Sequence, residues 1–246
     1  MAKRVVKLSI INDLICPNCA IGQHELFSAI SYCKDDLKLP LEFQIEVLPF
    51  RLINTTVLPQ DYQPKVEKRE FFSKRFGGDK FAQLDESISK WAAEKGVPLS
   101  FNGVVSQSTR AHRLSRKAFL MGGSDMQLPC LQAIFRVHLQ EGKDVGDINV
   151  LSDVAAEIGL MTKAEAIAFL QSDELEAEVN RMCDDVRAKG ITGVPLTVID
   201  GKWALSGGQS SEVFVQIFKK LAGLHAANTT PSLSRLVPPV PSAVVV

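Results

Sequence analysis

From residue 41 the chain reads LEFQIEVLPF, in which Leu41, Phe43, Ile45 and Val47 fall on one face and Glu42, Gln44 and Glu46 on the other. A period of two predicts a strand with one face buried. The earlier run VVKLSII predicts a second strand, and between the two Ile21, Leu26, Ile30 and Tyr32 stand among polar residues from 17 to about 37, predicting a helix. Strand, helix and strand in such close succession predict two parallel strands joined by a right-handed crossover.

From about residue 62 the period becomes 3.6 and stays so for more than a hundred residues. Phe81, Leu84, Ile88 and Trp91 form one apolar stripe, Ala111, Leu114, Ala118 and Met121 a second, and Ile148, Leu151, Ala155 and Ile158 a third. Gly159 is placed to stop the helix of the third stripe, and Thr162 with Glu165 fits a capping box for the next. About six helices are expected in this block. Near Gly190 strands return: PLTVID, the pair Asp200-Gly201, then KWALS predict an antiparallel hairpin with a two-residue turn. A final helix, SSEVFVQIFKKLAGL, turns Phe214, Ile217, Phe218 and Leu221 inward.

The order βαβ, helical block, ββα defines an α/β chain in four parts. Residues 1–60 are the first half of a core, 61–188 an all-helical insertion, 189–225 the second half of the core, and 226–246 a Pro/Val-rich tail without periodicity, expected to be extended or disordered.

Composition narrows the functional classes. At 246 residues, 46% hydrophobic and 23% charged, the chain suits one core carrying a large insertion. Lysine plus arginine equals aspartate plus glutamate at 28 each, so no long-range field gathers phosphates or anionic lipid, and neither nucleic acid nor a membrane surface is expected as a partner. The basic start is followed by an apolar run that Ser9, Asn12 and Asp13 break, a poor signal peptide. No stretch approaches the roughly 20 apolar residues that span a bilayer. A soluble, cytoplasmic protein is expected, and the five cysteines (Cys16, Cys19, Cys33, Cys130, Cys183) are too sparse for a disulfide framework.

Cys16-Pro17-Asn18-Cys19 follows the first strand directly. Two cysteines so spaced fit a redox pair, half of a metal site, or two packed core thiols. At a helix start both sulfurs lie on one side of the first turn. Pro17 suits that turn, where its missing N–H has no partner to lose. The positive end of the helix stabilises an anion, so the Cys16 pKa is expected to fall below the usual value of about 8.5. That would make Cys16 the attacking sulfur in thiol–disulfide exchange and Cys19 the resolving one. Asn18 carries no charge to stabilise a thiolate further, which places the expected potential between the strongly reducing and strongly oxidising extremes. Zinc needs four ligands and usually a second close pair. Cys33, Cys130 and Cys183 are isolated and His24, His112, His138 and His225 show no paired spacing, so no metal is expected.

With Ile191-Thr192-Gly193-Val194-Pro195 opening the strand PLTVID, the order βαβ, CPxC at the first helix, Val-Pro and ββα resembles the thioredoxin fold. The resemblance implies a cis Pro195 facing the cysteines, with Val194 offering its backbone to an extended peptide or to glutathione. The helical insertion narrows it to the DsbA superfamily. The stretches PFRLIN (49–54), AHRLSRKA (111–118), FRVHLQEGKDVGD (135–147) and GVPLTVIDGKWALSGGQ (193–209) resemble the FrnE-like branch, related to 2-hydroxychromene-2-carboxylate isomerases and kappa-class glutathione transferases. In the isomerases and transferases serine commonly replaces the first cysteine, so Cys16 and Cys19 together favour redox exchange. Members often read CPWCY where this chain reads CPNCA, a departure in the site wall.

The resemblance implies a thiol–disulfide oxidoreductase that reduces, forms or isomerises disulfides, with no tightly bound cofactor, glutathione as a candidate co-substrate and a disulfide- or thiol-bearing protein or small molecule as partner. The alternative is a glutathione-dependent isomerase or transferase acting on a small aromatic or polyketide-like molecule. Homodimers occur among related proteins. Besides Pro17, Asn18, Val194 and Pro195, the candidate binding residues are Asn54, which resembles the polar residue glutathione-using relatives bring beside the sulfur, and Ser206, Gly207 and Gln209. Backbone N–H groups of that last stretch could receive a glutathione carboxylate, although a loop cap at Asn54 and a plain turn at 206–209 fit equally. His112 is expected as a surface or hydrogen-bonded helix histidine rather than a base. His138 sits in a stretch resembling one that lines the relatives' site, Trp91 and Trp203 are expected to pack, and Cys33, Cys130 and Cys183 to be buried apolar residues.

Overall fold

In the computed structural model, which describes residues 3–227, β1 (Arg4–Asn12) and β2 (Leu41–Pro49) pair in parallel from Arg4 opposite Leu41 to Asn12 opposite Pro49. Helix α1 (Pro17–Ser31) makes the crossover. β3 (Leu196–Ile199) runs antiparallel to the other edge of β1, and β4 (Trp203–Ser206) antiparallel to β3, giving the sheet order β2-β1-β3-β4. At the hairpin tip Asp200 and Gly201 both have positive φ (52° and 66°), the backbone a two-residue mirror turn requires. The Asp200 carboxylate accepts from the Lys7 N–H at 2.9 Å and pairs with Arg4 at 2.9 Å, which pins the hairpin to β1.

Between β2 and β3 lie six helices: α2 (Lys68–Phe76), α3 (Gly78–Glu94), α4 (Thr109–Phe135), α5 (Ile148–Glu157), α6 (Lys163–Gln171) and α7 (Glu176–Ala188). The capping box at α6 forms as expected: the Thr162 N–H donates to Glu165 Oε2 at 2.8 Å and the Glu165 N–H to Thr162 Oγ1 at 3.3 Å. α8 (Ser211–Ala227) closes the described chain. Most of the expected 226–246 tail lies outside the described residues.

Buried side chains of β1 (Val6, Leu8, Ile10) meet Phe214, Phe218 and Leu221 of α8, and this core continues into α4 and α5. Each large apolar side chain removed from water there contributes about 1.5–3 kcal/mol. Two expected positions turn outward, both where the helical period breaks. Met121 is 53% exposed although Ala111, Leu114 and Ala118 are buried, because Gly122 and Gly123 leave helical geometry and end the stripe. Tyr32 is 46% exposed because α1 widens there into looser turns over Tyr32–Asp36. A second widened stretch, Arg136–Gln140, continues α4 and carries His138.

Candidate active site

β1 ends at Asn12, and a short turn closed by the Cys16 N–H donating to the Asp13 carbonyl at 3.1 Å leads into α1. Cys16 is the residue before the first helical position, with extended backbone (φ −92°, ψ 116°), and Pro17 opens the helix. The Cys16 carbonyl accepts from Cys19 N–H at 3.1 Å and Ala20 N–H at 3.3 Å, so both cysteines belong to one tight turn. Both thiols are free and almost fully buried.

Burial, then a hydrogen bond between the Cys19 thiol and the Cys16 side chain, raise the Cys19 pKa well above the ordinary thiol value, and the charges of Cys16 and Asp13 add to the effect. The backbone of Asp13 opposes them through a hydrogen bond that favours the thiolate. Cys19 therefore holds its proton, whereas Cys16 sits at the helix start, where the turn opens toward a cavity.

Behind the pair Asp13 is fully buried. Its Oδ2 accepts from the Leu52 N–H at 2.7 Å and its Oδ1 lies 3.3 Å from His112 Nε2. His112 Nε2 is also 2.9 Å from the Phe50 carbonyl, which can only accept, so that nitrogen carries the proton. Of the two roles expected for His112, the structure gives the hydrogen-bonded one: the histidine ties α4 to the ends of β1 and β2.

Cys16, Pro17 and Asn18 line one cavity of about 80 Å³. Its walls are apolar: Phe72, Phe76 and Phe81 from α2 and α3, Phe101 from the loop after α3, with Leu52 and Ile53 from the loop after β2. The polar groups at its surface include Lys68, Ser100, Ser106 and His138. His138 Nδ1 donates to the Lys143 carbonyl at 3.1 Å. Burial, then the nearby Lys68 charge, lower its pKa to about 3, so the ring is neutral with Nε2 as an acceptor.

The remaining sequence candidates do not line this cavity. The Val194–Pro195 peptide is cis, and the Pro195 ring packs beside Gly22 on α1, where an added Cβ would stand 3.2 Å from Pro195 Cγ. Val194 and Pro195 do not line the phenylalanine cavity. Asn54 is exposed and its Oδ1 accepts from the Thr56 N–H at 2.9 Å, so its side chain caps its own turn. At residues 206–209 the turn is internally bonded: Gln209 Nε2 donates to the Ser206 carbonyl at 2.7 Å and the Gly207 N–H to the Pro195 carbonyl at 2.9 Å. The first turn of α8 already serves a carboxylate of the chain, since the Ser211 N–H donates to Glu25 Oε2 at 2.8 Å and Glu25 pairs with Lys95 at 3.0 Å. The expectation that N–H groups here await glutathione thus meets two that are occupied. Trp91 packs against Gly208, and Cys33, Cys130 and Cys183 are buried.

Sequence reasoning missed Asp13, Lys68 and the phenylalanine wall. The run REFFSKRF was the one available signal for that wall, since it places three phenylalanines in a charged helix.

The profile of the DSBA-like thioredoxin domain matches residues 7–219. The chain belongs to that family. Among solved structures, a probable DsbA oxidoreductase from Streptomyces coelicolor is similar at 21% identity and TM-score 0.74, covering 92% of each chain. A 2-hydroxychromene-2-carboxylate isomerase is similar at 15% identity and TM-score 0.66, covering 91% of this chain and 100% of the other. The cytosolic disulfide reductase DsbM from Pseudomonas aeruginosa, solved with GSH, is similar at 18% identity and TM-score 0.57, covering 90% and 98%. These likenesses establish a shared fold. No curated protein matches the chain. Among the described residues no helix is long and apolar enough to cross a membrane, and no three His, Cys, Asp or Glu side chains group as metal ligands.

Proposed function

We propose that this DSBA-like chain is a thiol–disulfide oxidoreductase working through Cys16 and Cys19. Cys16, as the thiolate, attacks one sulfur of a substrate disulfide. The substrate S–S bond breaks, the departing thiolate takes up the proton Cys16 lost, and a mixed disulfide remains. The Cys19 sulfur then attacks Cys16, its proton passing to the second departing thiolate, and a Cys16–Cys19 disulfide closes. Two electrons have moved from the dithiol to the substrate. Two glutathione molecules would return them, leaving one oxidised glutathione. In a reducing cytosol this direction, or isomerisation, is easier than net oxidation.

The observation that carries the reading is the pair of free cysteines held in one tight turn at the start of α1, with Cys16 at the cavity. The test is the redox equilibrium of the pair against glutathione, read by thiol alkylation and mass, together with turnover of a model protein disulfide. A reversible two-electron couple with turnover lost in Cys16→Ser, and mixed disulfides trapped in Cys19→Ser, is expected. A pair that forms no disulfide in any glutathione buffer would end the reading.

The apolar cavity beside Cys16 favours one alternative, a glutathione-dependent isomerase or transferase acting on a small aromatic or polyketide-like molecule. Such an activity would survive Cys19→Ser, since it needs no resolving thiol.

A further inference from the structure

The Cys16 N–H closes on the Asp13 carbonyl at 3.1 Å, so the Asp13 carboxylate stands on the very turn that presents the thiols. After burial and the Cys16 side chain, its charge is a further force holding the proton on Cys19. Asp13 is fully buried, and a buried carboxylate needs donors in place of the water it has lost. Three are at hand. Oδ2 accepts from the Leu52 N–H at 2.7 Å, whereas Oδ1 has the Ile15 N–H at 3.4 Å and His112 Nε2 at 3.3 Å. Leu52 and Ile15 give backbone groups, and at 3.4 Å the second is weak. His112 is the one side-chain partner among the described residues, which place no lysine or arginine within ion-pair range of Asp13. Its single Nε2 proton is shared with the Phe50 carbonyl at 2.9 Å. Seating α4 would need that carbonyl alone; the second contact reaches the charge beside the sulfurs.

We propose that His112 is a positioning residue of the thiol pair: its Nε2–H fixes the Asp13 carboxylate against the turn of Cys16 and Cys19, and so biases the pair toward the disulfide. A carboxylate there opposes the dithiol whenever one sulfur gives up its proton, and it meets no charge in the disulfide. This deepens the proposed function, rests on its thiol exchange, and names the residue through which the helical insertion tunes it. Without the imidazole, Oδ1 keeps only the long Ile15 contact, and the charge is no longer fixed beside the sulfurs.

The test is the equilibrium of the full chain with glutathione at pH 8, read by thiol alkylation and mass. In it the dithiol and oxidised glutathione give the Cys16–Cys19 disulfide and two glutathiones. His112→Phe removes the donor, and the constant for disulfide formation is expected to fall at least tenfold, about 30 mV toward a more oxidising couple. His112→Leu repeats the measurement should the phenylalanine variant fail to fold. His112→Gln, whose amide N–H can reach the place of the imidazole Nε2, is expected to stay within threefold of the wild type. Gln127→Leu loosens the same helix from β2 without touching Asp13, and it too should stay within threefold while losing stability. A smaller fall in His112→Phe or His112→Leu, a shift toward the disulfide, or an equal fall in His112→Gln or Gln127→Leu overturns the proposal. Failure of both apolar variants to fold overturns it as well, since it assigns His112 to the fold alone. A wild-type pair that forms no disulfide ends the exchange reading itself, whereas a competent couple indifferent to His112 ends this proposal alone.

Discussion

Lys68, almost fully buried, makes a stability prediction. Burial, set against weaker attraction from Asp144 and Glu67, lowers its pKa from 10.5 to about 8. At about 1.4 kcal/mol per unit of pKa, carrying the charge at pH 7 costs the folded state about 3 kcal/mol. Lys68→Met removes that cost and gives up one hydrogen bond to the His138 carbonyl, worth about 1 kcal/mol, so the variant should be about 2 kcal/mol more stable at pH 7. The sign of the pH dependence follows from proton counting. Between pH 8 and 10.5 the unfolded wild type binds more protons at this lysine than the folded one, so wild-type stability gains as pH rises. The advantage of Lys68→Met should therefore shrink by about 2 kcal/mol between pH 7 and 9.5. Urea unfolding of both reduced proteins at the two pH values measures it, and titrations common to both, such as those of the cysteines, cancel in the difference. A difference that does not change with pH, or a variant less stable than the wild type by more than about 1 kcal/mol at pH 7, would refute the reasoning.

Four other side chains carry sharp expectations. Gln127 accepts from the Val47 N–H and donates to the Val47 carbonyl, each at 2.9 Å, standing in for a missing neighbour at the edge of β2. Gln127→Leu leaves both groups unpaired and should cost about 3 kcal/mol in chemical denaturation, with a loss below about 1 kcal/mol counting against this role. Arg113 donates to the carbonyls of Phe169, Ser172 and Glu174 at 3.0, 2.6 and 2.8 Å, closing the end of α6. Arg113→Met should cost about 3 kcal/mol or more, and Arg113→Lys should recover little, because one ammonium cannot reproduce the planar fork; full thermal stability in the lysine variant would contradict this. Burial raises the thiol pKa of Cys130 to about 12 and of Cys183 to about 11. Iodoacetamide at pH 8 should modify both only after unfolding, and a native-state adduct on either, seen by peptide mass, would refute their burial.

What the sequence disclosed divides by the range of the interactions that make each feature. Cys16 to Cys19, the Asp200-Gly201 turn and the Thr162/Glu165 capping box are each made by neighbours in the chain, so spacing and residue type suffice to read them. The stripes failed where one local event stopped the period: two glycines after Met121, a widened turn at Tyr32. The cavity was not legible, because its wall gathers residues 15–18, 52–53, 68–106 and 138–139, and no local pattern brings these together. Lys68 stands in KVEKRE, where it reads as one more solvated charge, and only the packing of α2 reveals it as buried. At 206–209 the two readings the sequence left open turn on distant partners that no local pattern shows: the Gly207 N–H donates to the Pro195 carbonyl, and just beyond, at Ser211, the N–H goes to Glu25, 186 positions earlier.

The same division bears on how the site distributes its chemistry. The sulfurs and the turn that holds them come from the strand–helix junction of the core, fixed by backbone hydrogen bonds within residues 13–20. The aromatic wall and its cation come from the helical insertion, joined to the core where Ile53 and Val105 pack against Phe71 and Phe72 and where His112 meets Asp13. The sulfurs and the cavity wall therefore rest on different stretches of chain that meet at Cys16. If the proposed function holds, changes at Phe72 or Phe76 should act first on what the cavity admits, whereas changes at Pro17 or Asn18 should act first on the sulfur's own surroundings. Asp13 belongs to both, since its carboxylate raises the Cys19 pKa and also anchors His112 of the insertion. A substitution there should disturb the thiol pair and the seating of α4 together, which makes it the least separable residue of the site.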